Sequence, residues 1–498
     1  MKHINLLTLC SLAFLAASCS LDYDPLDTYS DVTEGIATDS VKIVFKDRAA
    51  VLSYRTTIHD RYRERQEHWY LDMLLLGDSH SDNAYAGAPN SETTPFEVNS
   101  IEGSNSNLSR DWTRYMEDVG IVNLFITNID ATPDPALTAA ERAQYKAEAM
   151  IFRSMIYFDM ARIWGNVPLI TTTAGDITSE NVEDIYDSYF PPQASELEVY
   201  RQIEADLLAA LADAPGNNPA DKTQYSKTLA RTLLAKIYAE KPLRDYDKVI
   251  AYVDAVGADG IDLESDFSTL FGVTLQDPGN PAGQDNRATA PLTRNSKEVI
   301  YEAQYFTGAA NWLSWMFGRT LEDWNFYFEW AKWITPSRDL LKAFQDAGDA
   351  KRLNETIVWY DCGWSIYYPA NNYPFMYKYR SGFSNMIKYR YADLLLLKAE
   401  ALIMKDDFAG AAAIINRIRQ RAGLNSLPAS ATAGRDAMLN ACLKERRLEL
   451  ALEGERWFDL VRLDKVEEVM NAVYAKDAGR PAQRYPFSQD SYKLPIPQ

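Results

Sequence analysis

The chain is poor in the residues that carry most enzymatic chemistry. Of 498 residues only four are His (His3, His59, His68, His80) and four are Cys (Cys10, Cys19, Cys362, Cys442). No CxxC pair occurs, which argues against a zinc site built on cysteine spacing. Cys362 and Cys442 alone remain for pairing inside the body, too few for a disulfide scaffold. Dinucleotide-binding, P-loop, HExxH and GxSxG signatures are absent. Positive charge is short as well: 51 Lys and Arg face 70 Asp and Glu, a net charge of −19. A phosphate backbone is bound through cation excess, so no nucleic-acid partner is expected. After the N-terminal segment no apolar run reaches the length of a spanning helix. His59 and His68 stand nine residues apart in a helical stretch, too far to share a metal. No cofactor is expected. Asp78, His80 and Asp82 leave room for one structural cation such as calcium, but the loop lacks the terminal acidic residue of an EF-hand.

What is present begins with an address. MKHINLLTLCSLAFLAASCS carries a basic residue, Lys2, then an apolar run from Ile4 to Ala17 and small residues. That is a secretory signal, too short to span a bilayer. Its end, Leu15-Ala16-Ala17-Ser18-Cys19, resembles the lipobox of bacterial lipoproteins, with Leu15 one place early. The expectation is cleavage before Cys19 and acylation of its thiol. Each buried methylene then adds about 0.8 kcal/mol of membrane affinity. Asp22 and Asp24 behind the anchor resemble a signal for export to the outer face of an outer membrane.

Helical periodicity dominates the remainder. Segments 1–18 and 19–41 read as signal and lipidated tether, 42–260 as an N-terminal helical part, 261–385 as a loop-rich and hairpin-rich excursion, and 386–498 as a C-terminal helical part. Thr138 with Glu141 spells a capping box, and Gly165 with Pro168 ends that helix. Residues 77–109 read as a loop, and 297–306 and 356–379 as small hairpins. A repeat is visible: LLAKIYAEKPLRDYDKVIAYVDAV from Leu233 aligns without a gap on LLLKAEALIMKDDFAGAAAIINRI from Leu395. Each is a helix, a short acidic turn and a second helix, the grammar of a tetratricopeptide unit. The fold class expected is mostly α: a TPR-like helical-repeat scaffold with long loops and small β-hairpins forming a ligand-binding half.

Two stretches compete for function. LKERRLELALEGERWFDLVRL, residues 443–463, has ten charges in 21 residues. Glu449 and Glu453 have the spacing of a glycosidase pair, but Arg446, Arg447 and Arg456 lie within a turn and would hold them ionised, unlike a general acid. Surface pairs Arg446–Glu449, Glu453–Arg456 and Asp459–Arg462 are expected instead, with Gly454 breaking the helix. The second stretch, from Asn311, holds Trp312, Trp315, Trp324, Tyr327 and Trp330. One helical stripe, Trp324, Phe328 and Ala331, cannot bury them all, so some should be exposed as flat platforms for the C–H faces of sugar rings. The loop Ser79–Asn90 offers Asp82, Asn83 and Tyr85 as further ligand contacts. No catalytic residue is assigned.

The C-terminal motifs carry a family resemblance. Arg390-Tyr391-Ala392-Asp393 through Lys398-Ala399-Glu400-Ala401, Ile415-Asn416-Arg417-Ile418-Arg419-Gln420-Arg421-Ala422-Gly423, and Glu445-Arg446-Arg447 through Asp459-Leu460-Val461-Arg462 resemble the signature segments of the SusD/RagB family. Phe152-Arg153, Tyr157-Phe158 and Trp164-Gly165-Asn166-Val167-Pro168-Leu169 are similar to its N-terminal pattern. Asp393 replaces the family's Glu, and the family's Asn-Pro-rich tail is not matched. The resemblance implies a lipoprotein on the cell-surface face of the outer membrane. It would capture a glycan, or in some members a peptide, for a SusC-like TonB-dependent transporter, with the TPR units packing on that partner. The family is not known for catalysis and has no transferable ligand motif, so no site residue is carried over. Surface hydrolysis and protein-only scaffolding are the competing readings.

Overall fold

The computed structural model describes residues 44–497, apart from 88–89, 175–180, 182, 184–185, 272–292, 307–308, 314–332, 361, 363–364 and 380–383. Phe45–Gln498 forms one compact unit, distinct from Met1–Val44.

Helices do most of the work. α1 (Arg48–Glu64), α2 (Ser106–Asn128), α3 (Ala139–Trp164), α4 (Glu196–Asp213), α5 (Lys227–Ala239) and α6 (Tyr246–Ala258) make the N-terminal part. Thr138 caps α3 through the reciprocal box with Glu141 that the spacing predicts, and Gly165 follows it at φ 77°. Ser195 and Glu198 build a second such box on α4. From Ala147 to Trp164 nearly every side chain of α3 is buried, which makes this helix the axis of the core rather than an amphipathic layer.

The excursion and the C-terminal part hold α7 (Arg338–Ala347), α8 (Ala350–Thr356), α9 (Tyr391–Met404), α10 (Phe408–Arg421), α11 (Arg435–Glu449), α12 (Arg456–Arg462) and α13 (Val466–Lys476). Helices stack in sequence: α2 on α3, α3 on α4, α4 on α5, α5 on α6, α6 across to α9, and α9 on α10 and α11. The repeat is thus structural. Its aligned aspartates do the same job in both copies: Asp245 caps α6 by accepting from the amide of Lys248, and Asp407 caps α10 by accepting from the amide of Gly410. The aligned lysines tie the copies together, Lys236 to Asp393 at 2.6 Å and Lys398 to Asp254.

Strands are few and antiparallel. β1 (Ala84–Tyr85) pairs with β5 (Thr335–Pro336), and β2 (Val167–Pro168) with β3 (Gln193–Ala194). β6 (Ile357–Tyr360) and β7 (Tyr373–Met376) form the expected hairpin. β4 (Val299–Ala303) does not form one. It pairs with β8 (Met386–Arg390), more than 80 residues on, through a bulged register. Residues 387–390, expected to open a helix, are therefore strand, and α9 begins at Tyr391. Their alternating apolar and basic residues follow the period of a strand.

The expected loop from Gly77 is also different. Residues 67–79 are helical and largely π-type, with Trp69, Tyr70, Leu71, Leu74, Leu75 and Leu76 buried. Burial continues through Asn83, so this segment is core. Cys442 is buried and donates to the Leu396 carbonyl, and it is not joined to Cys362.

Candidate functional site

The charged stretch 443–463 folds inward, not along the surface. Of the three local pairs expected, only Asp459–Arg462 forms, at 2.8 Å and buried. Glu449 instead receives Arg352 at 3.0 Å, Arg390 at 2.6 Å and Arg421, from α8, β8 and α10. Glu453 takes Arg390 at 2.8 Å and Lys378 at 2.5 Å. Arg446 binds Asp393 at 2.7 Å and Asp459 at 2.8 Å. Burial pushes the Glu449 carboxyl up, but the guanidiniums of Arg421, Arg390 and Arg352 outweigh it and hold it far below the carboxylate range. The pair reads as permanently ionised architecture, out of reach of a substrate. The local expectation failed because a buried carboxylate is satisfied by convergent forks from several elements, which i,i+3 spacing cannot reveal.

The same burial corrects three of the expected ligand contacts. Asp82, Asn83 and Tyr85 expose 1% or less of their surface. Asp82 is clamped by Arg456 at 2.8 Å and Arg447 at 3.2 Å. Burial raises its carboxyl, and the two guanidiniums more than reverse that. Asn83 donates to Asp78 at 2.8 Å and accepts from Arg447. The Tyr85 ring stacks on Tyr367 at 4.2 Å and its hydroxyl donates to Asp477. These residues join the first third of the chain to the charged stretch and offer no face to a ligand. Of the other residues of the candidate cation loop, Asp78 accepts from the amides of Leu452 and Gly454, and His80 Nδ1 faces the Phe96 carbonyl at 2.5 Å. Burial lifts Asp78 to about 6 and lowers His80 to about 4.

Trp312 stands differently. It is 42% exposed, and Phe306, six residues earlier, is 48% exposed. Both follow β4 in the chain, and the backbone near each is tied down. Phe306 and Ala309 exchange backbone hydrogen bonds of 3.2 and 2.8 Å. Gln66 holds the residues that follow, donating to the Ala310 carbonyl at 3.1 Å and accepting from the Trp312 amide at 2.8 Å. Asn311 is buried and donates to the Ser384 carbonyl. The backbone is thus held from both sides while two rings face solvent.

Beside Phe306 lies a cleft of about 470 Å³ between α1, the end of β4 and the segment before α5. Its half-buried polar walls are Asp60, Arg63, Asp221, Thr223, Arg294 and Gln304. Arg63 bonds Asp60 at 2.9 Å and lies 5.6 Å from the centroid of the Phe306 ring. The combination suits a polyhydroxylated ligand: a ring face for C–H contact, with cations, a carboxamide and carboxylates for hydroxyls. Trp315, Trp324, Tyr327 and Trp330 lie outside the described residues. The sequence reading missed Phe306, Arg63 and Gln304. Phe306 ends a strand-like run, and no pattern in the chain separates it from a core residue.

The comparisons agree with the fold. Residues 312–498 match the SusD family, and residues 28–239 match the family described as starch-binding and associating with the outer membrane. Both matches are to SusD-type families, and the two segments do not overlap. A SusD-like protein of Formosa agariphila is 24% identical over 94% of this chain and 93% of its own. Among solved SusD structures, a laminarin-binding SusD-like protein superposes with a TM-score of 0.64 at 22% identity, covering 91% of this chain and 97% of that one. Surface glycan-binding protein A from Bacteroides thetaiotaomicron, in complex with laminarihexaose, gives 0.67 at 18% identity, covering 91% and 96%. The structural likenesses share the SusD fold.

Proposed function

We propose that this chain is a SusD-type lipoprotein of the cell-surface face of the outer membrane. It binds an oligosaccharide or polysaccharide and passes it to a SusC-like TonB-dependent transporter. It acts by binding, without turnover. The observation that carries the reading is the pair of exposed rings, Phe306 and Trp312, with Phe306 at the edge of a polar cleft, on a fold whose solved relatives include a laminarin binder and a laminarihexaose complex. Trp315, Trp324, Tyr327 and Trp330 are proposed as further ligand contacts.

The decisive measurement is calorimetry of the soluble body, begun after Cys19, against a panel of neutral glycans and peptides. Trp312→Ala and Phe306→Ala are expected to weaken glycan binding at least tenfold, about 1.4 kcal/mol, with an unchanged melting temperature. Binding of peptides alone would replace the sugar assignment with peptide capture.

Cys19 is assigned as the acylated residue. Cys19→Ala should abolish incorporation of labelled palmitate and release the protein from outer-membrane fractions. Incorporation at the wild-type level would end the lipoprotein reading.

A further inference from the structure

A second concave site lies away from Trp312. Helices α7, α11 and the end of α13 enclose a cavity of about 530 Å³. Six cationic side chains line it, Arg338, Lys342, Lys444, Arg447, Arg456 and Lys476, against three carboxylates. On a chain of net charge −19 this is a local reversal of sign. The pairing inside it is uneven. Arg447 and Arg456 are taken up by Asp82 and Asp339, Lys342 by Asp346 at 2.7 Å, and Arg338 by Asp477 at 3.5 Å. Lys444 and Lys476 are exposed and, among the described residues, have no carboxylate partner. They stand on two different helices and face the same cavity.

An aromatic platform adjoins it. The Arg338 guanidinium lies 4.9 Å from the centroid of Tyr368, and the Trp359 ring meets Tyr368 edge-on at 6.1 Å. Trp359 is 39% exposed. The rings reach the cavity through Arg338, which lines it, and the two ammonium groups without carboxylate partners would take the charged substituent of a sugar. Ammonium groups act as point charges and do not demand the planar geometry of a bidentate fork, so carboxylate and sulfate are both suited.

We infer that the cavity between α7, α11 and α13 is a subsite for an anionic group, carboxylate or sulfate ester, on an oligosaccharide. The inference rests on the glycan-binding reading above, and it narrows the ligand to acidic glycans. The test is calorimetry of the soluble body with three probes, laminarihexaose, an oligogalacturonate and an oligosaccharide of κ-carrageenan, at low and high salt. Wild type should bind at least one acidic probe at least tenfold more tightly than laminarihexaose, and the excess should fall as salt is raised. Lys444→Gln with Lys476→Gln should remove that excess and leave the melting temperature unchanged. The acidic probe that loses affinity identifies the carboxylate or the sulfate. Equal affinity for neutral and acidic probes would overturn the inference, as would an acidic preference that survives the double variant. In the first of those outcomes, loss of laminarihexaose binding in Trp312→Ala would keep the glycan-binding reading intact. No binding of any of the three probes would overturn both. An acidic peptide that binds in their place, and is lost in the double variant, would assign the cavity to a protein partner and overturn the inference.

Discussion

Glu449→Ala should prevent the body from folding stably. The carboxylate is the shared counter-ion of Arg352, Arg390 and Arg421, and all four side chains are buried. Removing it takes the shared counter-ion from all three: Arg352 keeps Asp349 and Glu445, and Arg390 keeps Glu453, but Arg390 and Arg421 are left to share Glu298. Breaking a buried pair by deleting one partner costs about 3–5 kcal/mol, because the remaining charge is stranded. One buried positive charge is then uncompensated across the cluster, which places Glu449→Ala within that range. Glu449→Gln keeps the shape and one acceptor oxygen and should lose less. Urea unfolding followed by Trp fluorescence measures both, and a wild-type midpoint for Glu449→Ala would refute the role given to this cluster.

Buried carboxylates of this kind, inside that cluster and outside it, set the acid limit of stability. Glu148 shows the sign. Burial works against its ionisation, but hydrogen bonds from His59 and Arg55 outweigh that and bring it down to about 2. Its folded value is below the ordinary 4.5, so its contribution is fully present above 4.5 and is lost as pH falls toward 2. Glu449, Glu453, Asp82, Asp393 and Asp459 are shifted in the same direction. Their contributions disappear together on acidification. His80 begins its loss earlier: lowered to about 4 by burial, it favours the folded state above 6.5 and withdraws that support between 6.5 and 4. Asp78, raised to about 6, has the opposite sign and partly offsets His80 in that interval.

These residues also mark how far the chain could be read without coordinates. The repeat, the capping box at Thr138 and the break near Gly454 were legible, because each is a local rule spelled out within a few residues. Asp245 and Asp407, aligned in the two copies, turn out to share a capping role that the alignment did not name. Partners were not legible. Glu449 finds Arg352 and Arg390, 97 and 59 residues away, and no spacing encodes that. The same limit explains Asp82, Asn83 and Tyr85. A polar run with small residues has the composition of a loop, and only the tertiary supply of Arg447 and Arg456 lets it be core. Trp312 was legible as one of too many aromatics to bury. Phe306, equally exposed, was not, because exposure of a single ring is set by the backbone that carries it.

Gly77→Ala should be as damaging as loss of Glu449, through sterics alone. Gly77 lies in the π-helical segment where it crosses the turn around Gly454. A Cβ at Gly77 would collide with the backbone carbonyl of Gly454, and backbone cannot swing aside as a flexible side chain can. The turn cannot retreat, because its amides at Leu452 and Gly454 are bonded to Asp78, the next residue along the helix. Gly454 itself sits at φ 82°, and a Cβ there would meet the Met73 carbonyl at 3.1 Å. Ala at Gly454 therefore pays a left-handed backbone cost of about 1 kcal/mol plus a tight contact. Gly77→Ala should cost more, with overpacking of about 3 kcal/mol or above. Gly120 is the control. It lies within α2, is exposed, and has nothing within 4 Å of an added Cβ. Gly120→Ala should stabilise by about 0.5–1 kcal/mol, since Ala restricts the unfolded chain and favours helix. Thermal melts of the three variants should rank Gly120→Ala above wild type, then Gly454→Ala, then Gly77→Ala. A Gly77→Ala protein that melts with wild type would mean that the two glycines are not in the contact described.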